Sequence, residues 1–257
     1  MKKQKLASII LAAAMIASSL SGCALVEFED PSTAKQEEQT LDKDAKAEKP
    51  DVFKLLNADK LVLSDRLKNA AGVELAAYEA NFPYFDAGDN QALANINTYY
   101  ETEFEHLESD KERFFQLVTE KPSQVFRTSV FTYTLLDTPG DYISILRCFE
   151  SNDILGSVTK TYYCEVFSAS TGWSLKFSDV FGDDSSKAVE ALRSALEQWS
   201  LDKAYTANWV YNAKDEILTE NFAFDGDKMY IGLPAYTAPG GETLIELSFE
   251  SFEDFLK

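Results

Sequence analysis

The sequence predicts an α+β fold: a mostly antiparallel sheet with one long helix and one or two shorter helices packed on it. Apolar and polar residues alternate in three consecutive segments, Gln124 to Leu136, Tyr142 to Glu150 and Val158 to Ser168, as in half-buried strands. Apolar residues recur at helical spacing from Leu93 to Val118. Strands and helices do not follow one another with regular βαβ spacing, which favours an antiparallel sheet over a doubly wound one.

The first 22 residues have the features of a lipoprotein signal peptide. Three lysines precede an uncharged, alanine-rich stretch from Leu6 to Leu20, which is shorter than the roughly 18 to 20 apolar residues that span a bilayer. It ends in Ser21, Gly22 and Cys23, a lipobox in which the thiol would accept a diacylglyceryl group. We expect residues 1–22 to be removed and Cys23 to anchor the chain on the extracytoplasmic face of the cell membrane. The alternative is an ordinary signal peptide followed by an incidental cysteine.

Residues 23–51 predict a lipid-bearing, disordered, charged linker, because the segment is rich in Glu, Lys, Asp and Gln and has few apolar residues to bury. The folded domain is predicted over residues 52–257, with possible halves at about 52–120 and 121–257. The composition of the whole chain, 45% hydrophobic and 13% aromatic, is that of a globular protein.

Within this domain, the first two strands are predicted at Lys60 to Arg66 and Val73 to Phe85. A single helix of roughly 27 residues follows, and then the three alternating segments. The remaining predicted elements are a strand at Trp173 to Phe177, a helix with N-cap candidates Asp183 to Ser186, a hairpin of Asn221 to Phe224 with Lys228 to Leu233, and a strand at Thr243 to Phe249.

The chain is strongly acidic, with a formal net charge of −19 at pH 7. Loss of the signal peptide removes Lys2, Lys3 and Lys5 and leaves −22 over 235 residues. Such a surface repels polyanions, so nucleic acid is excluded as a partner, whereas a basic protein would be attracted.

Cys148 and Cys164 are the only thiols besides Cys23. A hairpin centred near Gly156 would place them opposite each other, within reach of a disulfide. The alternative is two buried free cysteines that pack as small hydrophobic residues. Neither possibility predicts a metal site, since no histidine lies nearby.

No catalytic or cofactor motif is present, and we therefore expect neither an enzyme nor a bound cofactor. His106, the only histidine, is predicted to be a solvated helix residue. The pairs Asp183-Asp184 and Asp225/Asp227 are more simply a helix start and a turn than a catalytic acid and base. Most aromatic residues are expected in the core, and those that could mark a binding face are Tyr99, Tyr100, Tyr162, Tyr163, Trp209 and Tyr236.

From Tyr78 to Lys257 the chain resembles the extracytoplasmic domain shared by the anti-sigma-V factor (the C-terminal domain of RsiV) and PdaC-type peptidoglycan deacetylases. The residues that carry the resemblance are Tyr78 to Pro83, Asn95-Ile96-Asn97, Tyr142 to Leu146, Phe167 to Phe181, Phe222 to Gly241 and Ile245 to Phe252. The family usually has Gly-Gly-Ala-His before the Thr-Gly strand, where this chain has Ile154-Leu155-Gly156-Ser157.

The resemblance implies a non-catalytic binding or sensing domain that recognises a cell-wall component, such as peptidoglycan, or a secreted protein such as lysozyme. We expect no anti-sigma activity, since the chain has no sigma-binding segment and no transmembrane helix, and no deacetylase domain. The alternatives from the residues are a wall-modifying hydrolase that uses carboxylates and a structural subunit of an envelope complex.

Overall fold

The computed structural model describes residues 49–205, 219–234, 237–238, 241, 243–252 and 255. They belong to one unit, Ala47–Lys257. The expected signal peptide, Cys23 and nearly all of the expected linker lie outside the described residues, as do Trp209 and Tyr236.

A five-stranded sheet forms the larger layer of the domain, with strand order β1-β2-β3-β4-β5. A short helix, α1 (Val52–Leu55), precedes it. The strands are β1 (Leu61–Lys68), β2 (Glu74–Phe82), β3 (Arg127–Leu135), β4 (Tyr142–Asn152) and β5 (Val158–Ser168). All neighbours pair antiparallel except β2 and β3, which are parallel because the chain crosses over through two helices between them.

Two helices, α2 (Gln91–Glu105) and α3 (Leu107–Glu120), form that crossover, so the prediction of one helix is wrong. The chain breaks at His106, which ends the first helix and begins the second. Tyr100 and Leu107 are both buried on the side of the sheet. Because the apolar spacing runs on across the break, periodicity alone could not reveal it.

A second sheet of three antiparallel strands has the order β6-β7-β8. Its strands are β6 (Phe222–Asp225), β7 (Lys228–Gly232) and β8 (Leu244–Ser248). The helices α4 (Phe177–Phe181) and α5 (Ser185–Asp202) pack with it. These elements confirm the α+β class and its mostly antiparallel strand pairing.

The prediction of a strand at Trp173 to Phe177 is wrong. Only an isolated bridge joins Ser174 to Phe167, and the chain then enters α4. The helix starts here because the Asp179 carboxylate accepts the Lys176 N–H at 2.8 Å and so satisfies one of the free donors at the helix start.

The second half of strand β5 is covered on both faces. Phe167 packs in the core beneath α2 and α3, together with Phe82 and Tyr100. Val166 faces the core of the second sheet, and Cys164 contacts Ala223 of β6. The five-stranded sheet is therefore the middle layer between the α2–α3 pair and the second sheet.

The observed strand register does not place Cys148 and Cys164 opposite each other, as the expected disulfide assumed. The register of β4 and β5 pairs Cys148 with Tyr162 and Cys164 with Leu146, which centres the hairpin at Leu155 rather than at Gly156. The two cysteines are therefore diagonal neighbours rather than opposite ones, and both are free thiols. Burial raises the pKa of the Cys164 thiol, which is the behaviour of a buried cysteine that packs as a hydrophobic residue.

Candidate functional site

The α2–α3 pair presents a strongly acidic surface. Between Gln91 and Glu120 the two helices carry seven acidic residues and only two basic ones. Both basic residues lie in α3, and one of them, Lys111, pairs with Asp65 and Glu108. Five of the seven acidic residues are exposed, namely Glu105, Glu108, Asp110, Glu112 and Glu120. The outer face of this helical layer, called here the acidic layer, is therefore negatively charged.

A shallow, open cleft of about 520 Å³ lies beside α2, between the helix and the loop that follows β2. Asp86 from the loop and Glu101 from the helix bring two carboxylates to it, and Tyr84 and Thr98 add an aromatic ring and a hydroxyl. The Asp86 carboxylate accepts a hydrogen bond from Asn57 Nδ2 at 3.0 Å. A cleft with this lining is suited to a cationic group, because two carboxylates attract it and the polar side chains can bind its N–H donors.

The loop that forms one wall of the cleft is held by a buried asparagine. Asn97 of α2 is 5% exposed and bonds the backbone of Phe85 twice, accepting from its N–H and donating to its carbonyl, each at 2.8 Å. Helix α2 itself begins with a side-chain cap, since Asn90 accepts the Leu93 N–H at 3.0 Å. The cleft is thus built on fixed elements rather than on a free loop.

A buried ion-pair network lies under α2. Arg147 of β4 is 4% exposed. Its guanidinium contacts both carboxylate oxygens of Glu165, at 2.9 and 2.6 Å, and one oxygen of Glu103, at 3.1 Å. The hydroxyls of Tyr99 and Tyr100 donate to Glu165 at 3.0 and 2.7 Å.

Aromatic rings surround the same guanidinium, which lies 5.1 Å from the centres of the Phe82 and Tyr163 rings. Burial is the largest single effect and works against the charge of Arg147, but Glu165, Tyr100 and Tyr99 together outweigh it, and the Arg147 pKa is raised. Burial also raises the pKa of Tyr99 and Tyr100, so both hydroxyls stay protonated as donors.

The Glu165 carboxylate accepts four hydrogen bonds, two from Arg147 and one from each tyrosine, so it is fully occupied. A general acid or base must be able to reach a substrate proton, and this carboxylate is already bound on both oxygens. The network therefore fastens α2 to β4 and β5, and we assign it a structural part in positioning the acidic layer.

The other residues weighed from the sequence do not gather at this site. His106 is exposed at the junction of α2 and α3. Asp184 occupies the N-cap position of α5, but its carboxylate pairs with Lys187 instead of capping the helix. Asp225 accepts the Asp137 N–H at 2.9 Å, which ties the β6–β7 turn to the β3–β4 turn.

The aromatic candidates divide by exposure. Tyr100 is fully buried, and Tyr163 is 39% exposed over Arg147. Trp173, a ring that the sequence did not single out, is 55% exposed on the turn beside the start of α2. A tryptophan directly after a Thr-Gly turn was the available signal, because such a turn lies at the surface.

None of the helices in the described residues is long and apolar enough to cross a bilayer. In the same part of the chain, no group of three or more His, Cys, Asp or Glu residues is placed to hold a metal ion.

The fold defines a class of protein: an α+β domain in which a five-stranded sheet lies between a helix pair and a three-stranded sheet. Two solved structures of the DUF3298 family share it. The one from Bacteroides fragilis has a TM-score of 0.53 and 16% identity, and the one from Pseudomonas aeruginosa PAO1 has 0.56 and 13%. Each alignment covers 79% of this chain and 94% of the other chain.

DUF3298 is the domain type of the anti-sigma-V factor and the PdaC-type proteins, so the expected resemblance is confirmed at the level of the fold. No family model matches the sequence, and no curated protein matches it.

Proposed function

We propose that this chain is a lipid-anchored, extracytoplasmic binding domain that recognises a cationic protein and performs no catalysis. The observation that carries the proposal is the acidic layer, with its cleft and the two carboxylates of Asp86 and Glu101, on a chain of net charge −19. Lysozyme is the candidate partner, because it is basic and because the resemblance implies a domain that senses it.

Binding explains the acidic layer better than hydrolysis does. A carboxylate hydrolase needs two acids with different pKa values that converge on one bond of the substrate. The most enclosed carboxylate in the cluster under α2, Glu165, is occupied by Arg147 and two tyrosines. An acidic surface instead accelerates the encounter with a cationic partner, and this acceleration falls as salt is added.

The test uses the lipid-free chain of residues 24–257, which retains all of the unit Ala47–Lys257. We expect saturable binding to lysozyme at physiological salt, with an association rate that falls as the salt concentration rises. Polylysine serves as the control for charge alone, and peptidoglycan fragments test the other expected ligand. No saturable binding to lysozyme at physiological salt would refute the proposal.

Charge reversal locates the surface. The double variant Glu105→Lys/Glu112→Lys changes two exposed residues of the acidic layer. We expect it to slow association about tenfold at low salt. The matched control, Glu190→Lys/Glu250→Lys, makes the same change in net charge at exposed residues near the second sheet. Equal effects of the two variants would show that net charge alone, and not the acidic layer, attracts the partner.

A further inference from the structure

Exposed large apolar side chains gather at one end of the five-stranded sheet. They occupy the β1–β2 turn, the last turns of α3, the start of β3 and the β4–β5 turn, and the strand directions bring these segments to the same end. The residues are Val73 (56% exposed), Leu117 (46%), Phe126 (40%), Ile154 (48%), Leu155 (80%) and Val158 (56%). We call this surface the apolar end. Solvent-exposed apolar residues gathered in this way mark an interaction surface.

The β4–β5 turn that carries Ile154 and Leu155 is rigidly held. The Asp153 carboxylate accepts the N–H groups of Leu155 and Ser157 at 2.8 and 2.9 Å, and these bonds lower the Asp153 pKa. Ser123 donates to the Ile154 carbonyl at 2.9 Å, which joins the turn to the segment before β3. Because the turn is already ordered, a partner would lose little free energy in fixing it.

Hydrogen bonds between the end of β4 and the start of β3 also hold this turn in place. The side chain of Asn152 donates to the Phe126 carbonyl and accepts the Thr128 N–H, both at 2.8 Å. Arg127 Nε donates to the Asn152 carbonyl at 2.8 Å. The exposed ring of Phe126 and the β4–β5 turn are therefore held in one fixed arrangement.

The apolar end lies far from the point where the expected linker enters the domain. Lys49 Nζ donates to the carbonyl of Thr138, in the β3–β4 turn, at 2.5 Å. Strand β4 runs from that turn to the apolar end and has 11 residues, a length of roughly 36 Å. The apolar end is thus remote from the residues next to the expected linker.

The local charge differs from that of the whole chain. Four cationic and four acidic residues flank the apolar end: Lys68, Lys121, Arg127 and Lys160, with Glu74, Glu120, Glu150 and Asp153. The apolar end is therefore locally balanced on a chain of net charge −19. A second copy of so acidic a chain and an anionic bilayer would both be repelled at long range, whereas a cationic protein would be attracted.

We propose that the apolar end docks into an apolar groove on the same cationic extracytoplasmic protein, with Leu155 as the central anchor. The inference rests on the proposed function and deepens it, since it adds a second contact of different chemistry. The acidic layer sets the rate of encounter, and the apolar end sets the lifetime of the complex, because buried apolar anchors act mainly on dissociation.

The experiment measures the rates at which residues 24–257 associate with immobilised lysozyme and dissociate from it. We expect Leu155→Ser to weaken binding about tenfold through faster dissociation, with association unchanged. The matched control is Leu201→Ser, which removes a leucine that is 54% exposed on α5 and should change binding less than about twofold. The acidic-layer double variant should show the opposite pattern, with slower association and unchanged dissociation.

The outcomes separate the two proposals. Lysozyme binding that Leu155→Ser leaves unchanged would overturn the apolar contact and leave the proposed function standing. No binding by the unsubstituted chain would overturn both. The same variants are tested by flotation with phosphatidylethanolamine–phosphatidylglycerol vesicles and by light scattering. Vesicle binding or dimer formation that depends on Leu155 would assign the apolar end to a bilayer or to a second copy, and so overturn the inference.

Discussion

At the level of single residues, Arg147 links α2 to the sheet, through Glu103 of α2 and Glu165 of β5. Nothing in the sequence singles it out, since it is one of 24 Lys and Arg residues. Its partner Glu165 lies 18 positions away and Glu103 lies 44 positions away. The first contact depends on the β4–β5 register and the second on the crossover helices. Both are tertiary features that local sequence patterns do not contain.

Replacing Arg147 by Met leaves the buried Glu165 carboxylate without its counter-charge. We expect the free energy of unfolding of residues 24–257 to fall by about 3 to 5 kcal/mol, the typical cost of breaking a buried pair from one side. Urea unfolding followed by circular dichroism measures this change. The double variant Arg147→Met/Glu165→Leu should recover part of the loss, because no unpaired charge is then buried.

The control for this prediction is Arg66→Met, which removes the exposed pair between Arg66 and Glu79 on neighbouring strands. An exposed pair contributes less than about 1 kcal/mol, so this variant should unfold nearly as the unsubstituted chain does. If the two single variants lose the same stability, the network under α2 does not hold the helix as we describe.

At the level of elements, alternation was the most informative signal. Strand β5 has the predicted bounds, Val158–Ser168, and in its second half Val166 and Phe167 are buried on opposite faces, as period-two alternation requires. The predicted β4–β5 register paired Cys148 with Cys164 and was wrong by two residues, since the register depends on the turn at Asp153 to Ser157 rather than on the strands. The break at His106 was missed because both helices bury the same apolar stripe.

The turn before α4 shows how closely two elements approach. Gly172 has a φ of +73°, and a Cβ there would lie 2.0 Å from the carbonyl oxygen of Ala92 at the start of α2. Asn95 of the same helix donates to the Thr171 carbonyl at 2.7 Å. The turn is therefore docked on the beginning of the acidic layer, and a side chain at Gly172 must push it away.

Gly172→Ala should accordingly destabilise the domain more than a glycine substitution that introduces backbone strain without a steric clash. The matched control is Gly140→Ala, where φ is +64° but the nearest atoms, in the Tyr142 ring, are 3.6 Å from the added Cβ. We expect Gly140→Ala to lower the free energy of unfolding by about 1 to 2 kcal/mol because of the positive φ. Gly172→Ala should lower it by about 1 to 3 kcal/mol more because of the steric overlap. Urea unfolding of both variants compares them, and equal losses would contradict the close approach.

At the level of the whole molecule, composition reveals the amount of charge but not its position. The value of −19 follows from counting residues, whereas the acidic layer follows from the way in which two helices share one apolar stripe. The apolar end was equally hidden, because Val73, Phe126 and Leu155 are far apart in sequence. Only the strand directions bring such residues to one end of the sheet.

The expected anchor at Cys23 determines where these surfaces act, and it can be tested on the full chain in a bacterial host. We expect labelled palmitate to be incorporated into the unsubstituted chain and into Cys148→Ser, which removes a half-buried thiol of β4. Cys23→Ser should incorporate none and should lose signal cleavage and acyl-dependent membrane retention, because the diacylglyceryl group is attached to a thiol and cannot form on a hydroxyl there. Two or three acyl chains hold a protein firmly, whereas a single chain holds it only marginally, so loss of this one residue should abolish stable anchoring. Unchanged labelling and retention of Cys23→Ser would refute Cys23 as the lipid-bearing residue and as the anchor of the chain.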